Sequence, residues 1–156
     1  MAFTVRFATK EDAEVLVEMR LSYLREDHSD LSAEETQMLK VQLTEYFPRT
    51  VGESLRAVLA FDGESPIAAA CLVITEKPAN PAFPTGKVGT ILSVYTRPEY
   101  RRQGVATEMM KLLIEEGKKL DLSFIELSAT ASGKPLYEKL GFVEKKSVYT
   151  AMKLRL

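Results

Sequence analysis

The sequence has very few of the residues that build metal centres and covalent cross-links. Its 156 residues include one cysteine, Cys71, and one histidine, His28. A single cysteine excludes a disulfide within the chain, and the two residues fall short of the common zinc-binding patterns. The sequence therefore predicts no metal site, and the scarcity of cysteine fits a reducing compartment.

Long apolar runs and an excess of one charge are also missing. The longest apolar run covers residues 67–74, whereas a helix needs about 20 residues to cross a bilayer. Residues 1–6 contain no apolar signal core. The 21 basic and 22 acidic side chains leave a net charge of −1, which gives no bulk attraction to nucleic acid or to lipid. We therefore expect a cytoplasmic protein that binds neither nucleic acid nor membrane.

What is present is an ordered series of strand and helix patterns without an internal repeat. The length fits one domain over residues 1–156. Two helices are predicted after Thr9 and Ser32, and two more over residues 103–120 and 134–140. The predicted strands cover 3–9, 55–61, 67–75, 87–96 and 123–128, with two short strands within 142–154. This order, β-α-α-β-β-β-α-β-α-β-β, predicts the α/β class, with a central mixed (α+β) sheet flanked by helices.

Local signals set several of these boundaries. Thr9 is a plausible helix N-cap, and Ser32 with Glu35 three residues later forms a capping-box pattern. Pro48 is expected to end the second helix. Asp62-Gly63 is a hairpin signal between two strands.

A predicted anion site lies where the fourth strand gives way to the third long helix. The strand ends near Thr96, and Arg97, Arg101 and Arg102 follow before Gly104 in the first helical turn. The first amides of a helix have no internal acceptors, and the helix dipole adds positive charge there. Phosphate groups bind at such helix starts, and a glycine lets them approach the backbone. The alternative is a basic loop that contains a glycine by chance, because short motifs have a high false-positive risk.

Residues 92–106 resemble the acyl-CoA-binding segment of the GNAT acetyltransferase superfamily, whose pattern is Gln/Arg-x-x-Gly-x-Gly/Ala. Arg101, Gly104 and Ala106 occupy its three defined positions. Residues 136–142 are similar to a second recurrent segment of the family, and residues 5–13 to its opening strand and helix. The resemblance spans nearly the whole chain. It implies a single-domain GNAT-like fold with acetyl-CoA as co-substrate.

The resemblance also implies which residues hold the CoA. Main-chain amides of the turn would bind the diphosphate: Arg102, Gln103, Gly104, Val105, Ala106 and Thr107, with Arg101 opening the motif. The main chain of the preceding strand would pair with the pantetheine arm: Val94, Tyr95 and Thr96. In the family this strand carries a bulge and splays from the next strand, near 123–128. Many members have an asparagine before the last helix, where this chain offers Thr130 or Ser132 as hydrogen-bond donors.

Two residues are candidates for the chemistry. Tyr137 matches the family tyrosine beside the CoA sulfur and is predicted to protonate the leaving thiolate, since a thiol has a pKa of about 8.5 and a tyrosine about 10. The alternative is a buried tyrosine that packs on Phe142. Glu126 is the nearest carboxylate for a general base, because residues 87–96 contain none. The alternative for Glu126 is an ordinary solvated position on the strand. In that case ordered water, or a substrate amine that is already neutral, would remove the need for a side-chain base.

The resulting hypothesis is an N-acetyltransferase that moves the acetyl group of acetyl-CoA directly to a primary amine in a ternary complex. The acceptor is a small-molecule or peptide amine, and a homodimer is left open. One alternative is a CoA-binding regulatory or inactive member of the same fold; another is an interaction domain whose motif matches arise by chance. The loops over residues 23–33 and 77–87 are expected to select the acceptor, with Arg20, Tyr23 and His28 nearby. Cys71, within an apolar run, is predicted to be a buried, inert thiol.

Overall fold

A five-stranded sheet forms the centre of the computed structural model, which describes residues 2–156; Met1, where the predicted domain begins, lies outside them. The strands are β1 (Thr4–Phe7), β2 (Leu55–Asp62), β3 (Ser65–Glu76), β4 (Lys87–Thr96) and β5 (Ile125–Glu126). They lie side by side in chain order. Neighbours from β1 to β4 are antiparallel, whereas β4 and β5 are parallel. This mixed sheet with flanking helices confirms the predicted fold class.

Four helices cover the two faces of the sheet. They are α1 (Ala13–Asp27), α2 (Ala33–Thr50), α3 (Val105–Lys119) and α4 (Lys134–Lys139). Helices α1 and α2 share one apolar core with one face of β2 and β3. Helix α3 shares a second core with the opposite face, and side chains from α4 pack at its margin. The sheet is therefore buried on both sides near its centre.

The apolar run predicted in the third strand explains this double burial. Ala69 and Cys71 face the core with α1 and α2, whereas Ala68, Ala70 and Leu72 face the core with α3. Successive side chains of a strand point to opposite faces, so a strand buried on both sides is apolar at every position. The absence of polar alternation in this run thus positions β3 at the centre of the fold.

Helix boundaries follow the predicted caps with two corrections. Thr9 precedes a short 3-10 turn, and α1 itself begins only at Ala13. The capping box at α2 is formed as expected: the Glu35 amide donates to Ser32 Oγ at 3.0 Å, and the Ser32 amide donates to Glu35 Oε1 at 3.1 Å. Pro48 does not end α2, which continues to Thr50. Pro48 lies in the last turn, where it removes one amide, and the Val51 amide still donates to Phe47 O at 3.0 Å.

The largest correction concerns the end of the chain. The two strands predicted within residues 142–154 are not formed, and β5 has two residues instead of the expected six. Residues 143–156 take part in no backbone hydrogen bond with any residue from 2 to 156, and all of them are exposed. An alternating apolar pattern becomes a strand only beside another strand, and in this structure the segment pairs with none.

Two methionines on different helices provide a test of this core. Met110 on α3 is fully buried, whereas Met38 on α2 is 73% exposed. We expect Met110→Ala to lower the free energy of unfolding by about 2–5 kcal/mol because it leaves a cavity. Met38→Ala is the matched control and is expected to change it by less than about 0.5 kcal/mol. Urea unfolding measures both, and equal effects would contradict the core assignment.

Candidate active site

A wedge opens between β4 and β5. Only two residue pairs join these strands, Gly89 with Ile125 and Thr90 with Glu126. Gly89 closes the narrow end: a Cβ there would lie 2.6 Å from Leu72 Cδ1 and 2.9 Å from Leu122 Cδ1. Beyond Thr90, β4 continues to Thr96 with no strand on its β5 side. The main chain of this edge is available to an extended ligand.

A bulge in β4 accompanies the opening. Cys71 lies opposite Leu92 and Ala69 opposite Tyr95, so Ser93 and Val94 together oppose a single residue of β3. Ser93 has a φ of +57°, a left-handed conformation that costs a non-glycine residue about 1–3 kcal/mol. A bulge bends its strand and breaks the regular ladder. The resemblance predicted this bulge, and the structure confirms it.

An arginine from α1 holds the bulge. The Arg20 Nη1 atom donates a hydrogen bond to Ser93 Oγ, and the guanidinium carbon lies 5.6 Å from the centre of the Tyr23 ring. The side chains of Arg20 and Tyr23 are both half-buried. Leu92, next to the bulge, is 43% exposed, which is unusual for a leucine near the centre of a sheet. Arg20, Tyr23 and Leu92 therefore lie at the mouth of the wedge.

The turn before α3 presents a row of unused donors. Six consecutive backbone amides, those of residues 102–107, donate to no acceptor within residues 2–156. Arg102 and Gly104 have φ angles of +63° and +82°, which bend the chain sharply into the helix. A Cβ at Gly104 would meet no atom within 4 Å, so the space above it is open. These donors at a helix N-terminus form an anion site.

Side chains of the same turn leave its outer surface clear. Val105 is 2% exposed and belongs to the core beneath α3, while Ala106 and Thr107 are half-buried in the first turn. The Gln103 side chain reaches back to the Glu99 carbonyl at 3.5 Å. The backbone of the turn, more than its side chains, is therefore available to a diphosphate.

The three arginines of the turn make different contacts. Arg97 Nε donates to the Pro66 carbonyl at 2.9 Å. Arg101 donates to the Thr96 carbonyl at 2.8 Å and makes a two-pronged contact with the Glu26 carboxylate at 2.7 and 2.8 Å. That carboxylate raises the pKa of Arg101. Of these three arginines, only Arg102 has no hydrogen-bond or ion-pair partner within residues 2–156, so its guanidinium remains available to a phosphate.

Tyr137 lies on α4 with its ring edge-on to Phe142, the ring centres being 6.0 Å apart. The predicted packing contact is therefore present. Its hydroxyl has no hydrogen-bond partner among residues 2–156. Burial, and to a smaller extent the neighbouring Tyr23, raises the pKa of Tyr137, so the phenol is protonated at neutral pH. A half-buried phenol whose proton is not used in a hydrogen bond fits both roles considered for Tyr137, the acid that protonates the thiolate and a tyrosine that packs on Phe142.

Thr130 and Ser132 lie in the exposed loop before α4. The Gly133 amide donates to Thr130 Oγ1 at 3.1 Å, and the two hydroxyl oxygens are 3.2 Å apart. Thr130 therefore organises the start of α4, and because one of the two hydroxyls donates to the other, one hydroxyl proton remains for another acceptor. Their predicted contact with CoA stays a prediction.

Glu126 lies on β5 at the closed end of the wedge, opposite Thr90. Its carboxylate is 3.0 Å from Lys145 Nζ, and its side chain is 35% exposed. This environment resembles the solvated strand position considered as the alternative to a general base. His28 lies beyond α1, where its Nε2 is 3.4 Å from Asp27 Oδ2 and not against the wedge.

Cys71 is 5% exposed, and burial raises the pKa of its thiol to about 12. It therefore matches the prediction of an inert thiol. Two contacts of the site, Arg20 with Ser93 and Arg101 with Glu26, were not predicted as pairs. Their partners are 73 and 75 residues apart, and no sequence pattern links positions at such distances.

Neither a membrane-spanning helix nor a metal-binding group of side chains occurs among residues 2–156. Over residues 2–156, no helix combines the length and the hydropathy of a membrane span. In the same part of the chain, histidine, cysteine, aspartate and glutamate form no group of three or more able to hold a metal ion.

The order of elements, with an anion-binding turn after a bulged and splayed strand, defines an acetyltransferase type of domain. The chain belongs to the acetyltransferase (GNAT) family, whose model matches residues 15–142. The resemblance seen in the sequence is thereby confirmed.

Solved structures similar to this chain belong to the same class. A predicted acetyltransferase from Clostridium acetobutylicum, solved with acetyl-CoA, is 25% identical with a TM-score of 0.80, covering 97% of this chain and 96% of that one. A GCN5-related N-acetyltransferase from Ralstonia eutropha JMP134 has the same TM-score at 24% identity, covering 97% and 99%; this second likeness concerns the fold alone.

One curated relative matches a part of the chain. The catalytic subunit NAA20 of the N-terminal acetyltransferase B complex of Arabidopsis thaliana is 41% identical over 59 residues. The match covers 35% of this chain and 34% of that protein. The chain therefore matches about a third of the length of this relative.

Gly104 provides a test of the anion site, with Gly63 as its matched control. Both glycines have positive φ angles and open space around them, so a glutamate costs similar backbone strain at either position. Acetyl-CoA at about 100 times its Kd should stabilise the wild type and Gly63→Glu by about 2.7 kcal/mol. Gly104→Glu should lose this stabilisation, because the carboxylate occupies and repels the diphosphate position. Thermal shift measures the effect, and normal binding by Gly104→Glu would exclude this site.

Proposed function

We propose that the protein is an N-acetyltransferase that moves the acetyl group of acetyl-CoA to a primary amine by direct transfer in a ternary complex. The observation that carries the proposal is the row of six free amides at residues 102–107 beside the open edge of β4. Family membership supports the same donor. The acceptor is a small-molecule or peptide amine.

The two halves of acetyl-CoA fit two neighbouring surfaces. The diphosphate would accept hydrogen bonds from the amides of 102–107, with the Arg102 guanidinium adding charge. The amide groups of pantetheine would pair with the open main chain around Val94–Thr96, as an added strand does. Thr130 and Ser132 offer hydroxyl donors from the loop before α4. The thioester then lies within the wedge near the β4 bulge.

The reaction needs one bond formed and one broken. The neutral amine attacks the thioester carbonyl carbon, and the tetrahedral intermediate collapses with loss of the C–S bond. Tyr137 donates its phenolic proton to the departing sulfur and later recovers one from solvent. A thiol has a pKa of about 8.5 and an unperturbed tyrosine about 10; the raised pKa of Tyr137 makes it a weaker acid. Proton transfer from Tyr137 is therefore most favourable as the C–S bond breaks, because the sulfur is most basic at that point.

The proton of the amine needs a separate acceptor. Glu126 is the candidate base at the closed end of the wedge, where Lys145 is its ion-pair partner. A lysine-like amine with a pKa of about 10.4 is almost wholly protonated at pH 7, whereas an α-amine near 8 has a substantial neutral fraction. An acceptor of the second kind requires little from Glu126, since water is then a sufficient base.

A second candidate function is a CoA-binding regulatory or inactive member of the fold. It is favoured by one observation, that the only carboxylate proposed as a base is engaged by Lys145. Such a protein would bind acetyl-CoA on the same turn without turnover.

A thiol-release assay separates the two functions. Purified protein with acetyl-CoA should release free CoA when supplied with a panel of peptide α-amines, polyamines, amino acids and aminoglycosides. We expect release above the hydrolysis rate with at least one class. Clear thermal stabilisation by acetyl-CoA without release on any class would instead support the regulatory function. A result with neither binding nor release would contradict both functions.

Tyr137→Phe tests the acid, with Tyr46→Phe as the control. Both tyrosines are half-buried and lie edge-on to a phenylalanine, so each variant loses only a hydroxyl from a similar packing environment. We expect kcat to fall by about 10²–10⁴-fold in Tyr137→Phe and to be unchanged in Tyr46→Phe. Single-turnover kinetics measure the chemical step. Full turnover by Tyr137→Phe under these conditions would remove the acid role.

A further inference from the structure

Arg20 brings a positive charge to the mouth of the wedge without a negative partner from the chain. Its side chain is half-buried and reaches from α1 to the bulge of β4. Within residues 2–156 no carboxylate forms an ion pair with Arg20, and Glu26, further along α1, is engaged by Arg101. Charged groups that lose part of their water are normally paired. An unpaired arginine beside a substrate wedge is therefore suited to an anion that arrives with the substrate.

Most hydrogen-bond donors of Arg20 are unused. One of the five N–H groups of a guanidinium donates to Ser93 Oγ, and the others donate to no acceptor within residues 2–156. The Tyr23 ring lies 5.6 Å from the guanidinium carbon and limits the orientations of the group. The planar fork of a guanidinium matches the two oxygens of a carboxylate. Arg20 can therefore hold the bulge and bind a carboxylate at the same time.

The charge of Arg20 acts through the protein interior as well as through solvent. Burial raises the pKa of the Cys71 thiol, and the positive charge of Arg20 opposes that rise. Cys71 lies on β3, opposite Leu92 and next to the bulge. Charges interact more strongly in the interior than in water. An anion at the mouth of the wedge would experience the same weakly screened field.

Tyr23 links Arg20 to the proposed acid. Tyr23 packs against the core shared with α1 and α2, whereas Tyr137 packs against the core shared with α3. Burial raises the pKa of Tyr137, and the neighbouring Tyr23 raises it further. The two tyrosines, which come from opposite faces of the sheet, are therefore neighbours at the opening of the wedge. A group bound by Arg20 lies beside the place where the thioester is proposed to react.

The other charges near the wedge do not compensate Arg20. Residues 87–96 contain no carboxylate, and Glu126, at the closed end, is engaged by Lys145. A second ammonium group on the acceptor, as in a polyamine, would meet a like charge at the guanidinium and be repelled. A carboxylate would accept hydrogen bonds from Arg20 and hold the nearby amine in one orientation.

We propose that the acceptor carries a carboxylate a few bonds from its amine, and that Arg20 binds this carboxylate at the mouth of the wedge. The carboxylate of a free amino acid and an acidic side chain near the N-terminus of a peptide share this chemistry. The proposal rests on the proposed acetyl transfer and narrows its acceptor. Polyamines and other acceptors with several positive charges are then poor substrates.

Matched pairs of acceptors test the role of Arg20. Free amino acids are compared with their carboxamides, and peptides with Glu at the second position are compared with peptides with Gln there. In the wild type, thiol release should give a kcat/KM at least about tenfold higher for the acid than for the amide in one of the two arms. The arm that shows the preference identifies the source of the carboxylate. Equal values for acid and amide in both arms would overturn the proposal.

Arg20→Met should reduce this preference to less than about threefold, and Arg49→Met is the matched control. The Arg49 guanidinium also lies against a tyrosine, 5.8 Å from the centre of the Tyr46 ring, and has no ion-pair partner within residues 2–156. Arg49 lies near the end of α2, away from the mouth of the wedge. Its replacement should leave the preference for the acid unchanged. Equal preferences in the two variants would contradict the role of Arg20.

Ser93→Ala separates carboxylate binding from support of the bulge. If Arg20 acted only through the bulge, Arg20→Met and Ser93→Ala would lower kcat/KM for acid and amide alike, and neither would change their ratio. We expect Ser93→Ala to keep the preference for the acid even where it lowers turnover, since the guanidinium is retained. An unchanged ratio in Arg20→Met would overturn the proposal and leave Arg20 as a positioning residue.

A binding measurement keeps this test separate from the test of acetyl transfer. Protein saturated with CoA is titrated with the same acids and amides in a thermal-shift assay. Stabilisation by the acid alone, lost in Arg20→Met, would support the carboxylate site even if no amine were acetylated, and would then count against the transfer. Acetylation of amides or polyamines without preference for acids would support the transfer and overturn the carboxylate site. No preference in either measurement would also overturn it.

Discussion

The contact between Arg20 and Ser93 is the interaction on which the site depends. It joins α1 to the bulge of β4, where a serine adopts a left-handed backbone. Without the bulge, β4 would continue as a regular strand and could pair with β5 along a greater length. The wedge would then close, and the open main chain that suits pantetheine would be occupied. The left-handed backbone of Ser93 costs about 1–3 kcal/mol, and this strained bulge keeps the end of β4 unpaired on the β5 side.

Helix α1 also fixes the second half of the site. Glu26 binds Arg101, which in turn binds the Thr96 carbonyl, so the turn before α3 is tied to the same helix as the bulge. Arg20 and Glu26 are six residues apart, about 9 Å along the helix axis. One rigid element therefore sets the distance between the opening of the strand and the free amides of residues 102–107. Movement of α1 would change both surfaces together.

The sequence was informative wherever the deciding residues are close in the chain. The capping box of Ser32 and Glu35, the Asp62-Gly63 hairpin and Gly104 at the start of α3 all depend on neighbours within a few residues, and the structure confirms them. The pairs of Arg20 with Ser93 and Arg101 with Glu26 depend on tertiary packing, which no local pattern encodes. Residues 143–156 show the same limit, because alternation predicts a strand without identifying its neighbour.

The state of Cys71 has a consequence for the proposed reaction, in which a thioester is consumed and a thiol is released. Burial raises the pKa of Cys71 to about 12, so the thiol is protonated at neutral pH. The sole sulfur nucleophile of the chain therefore neither captures the acetyl group from the donor nor exchanges with oxidised CoA. In the proposed reaction, burial alone thus suppresses self-acylation and mixed disulfides with the released CoA, and the acetyl group passes to the acceptor amine.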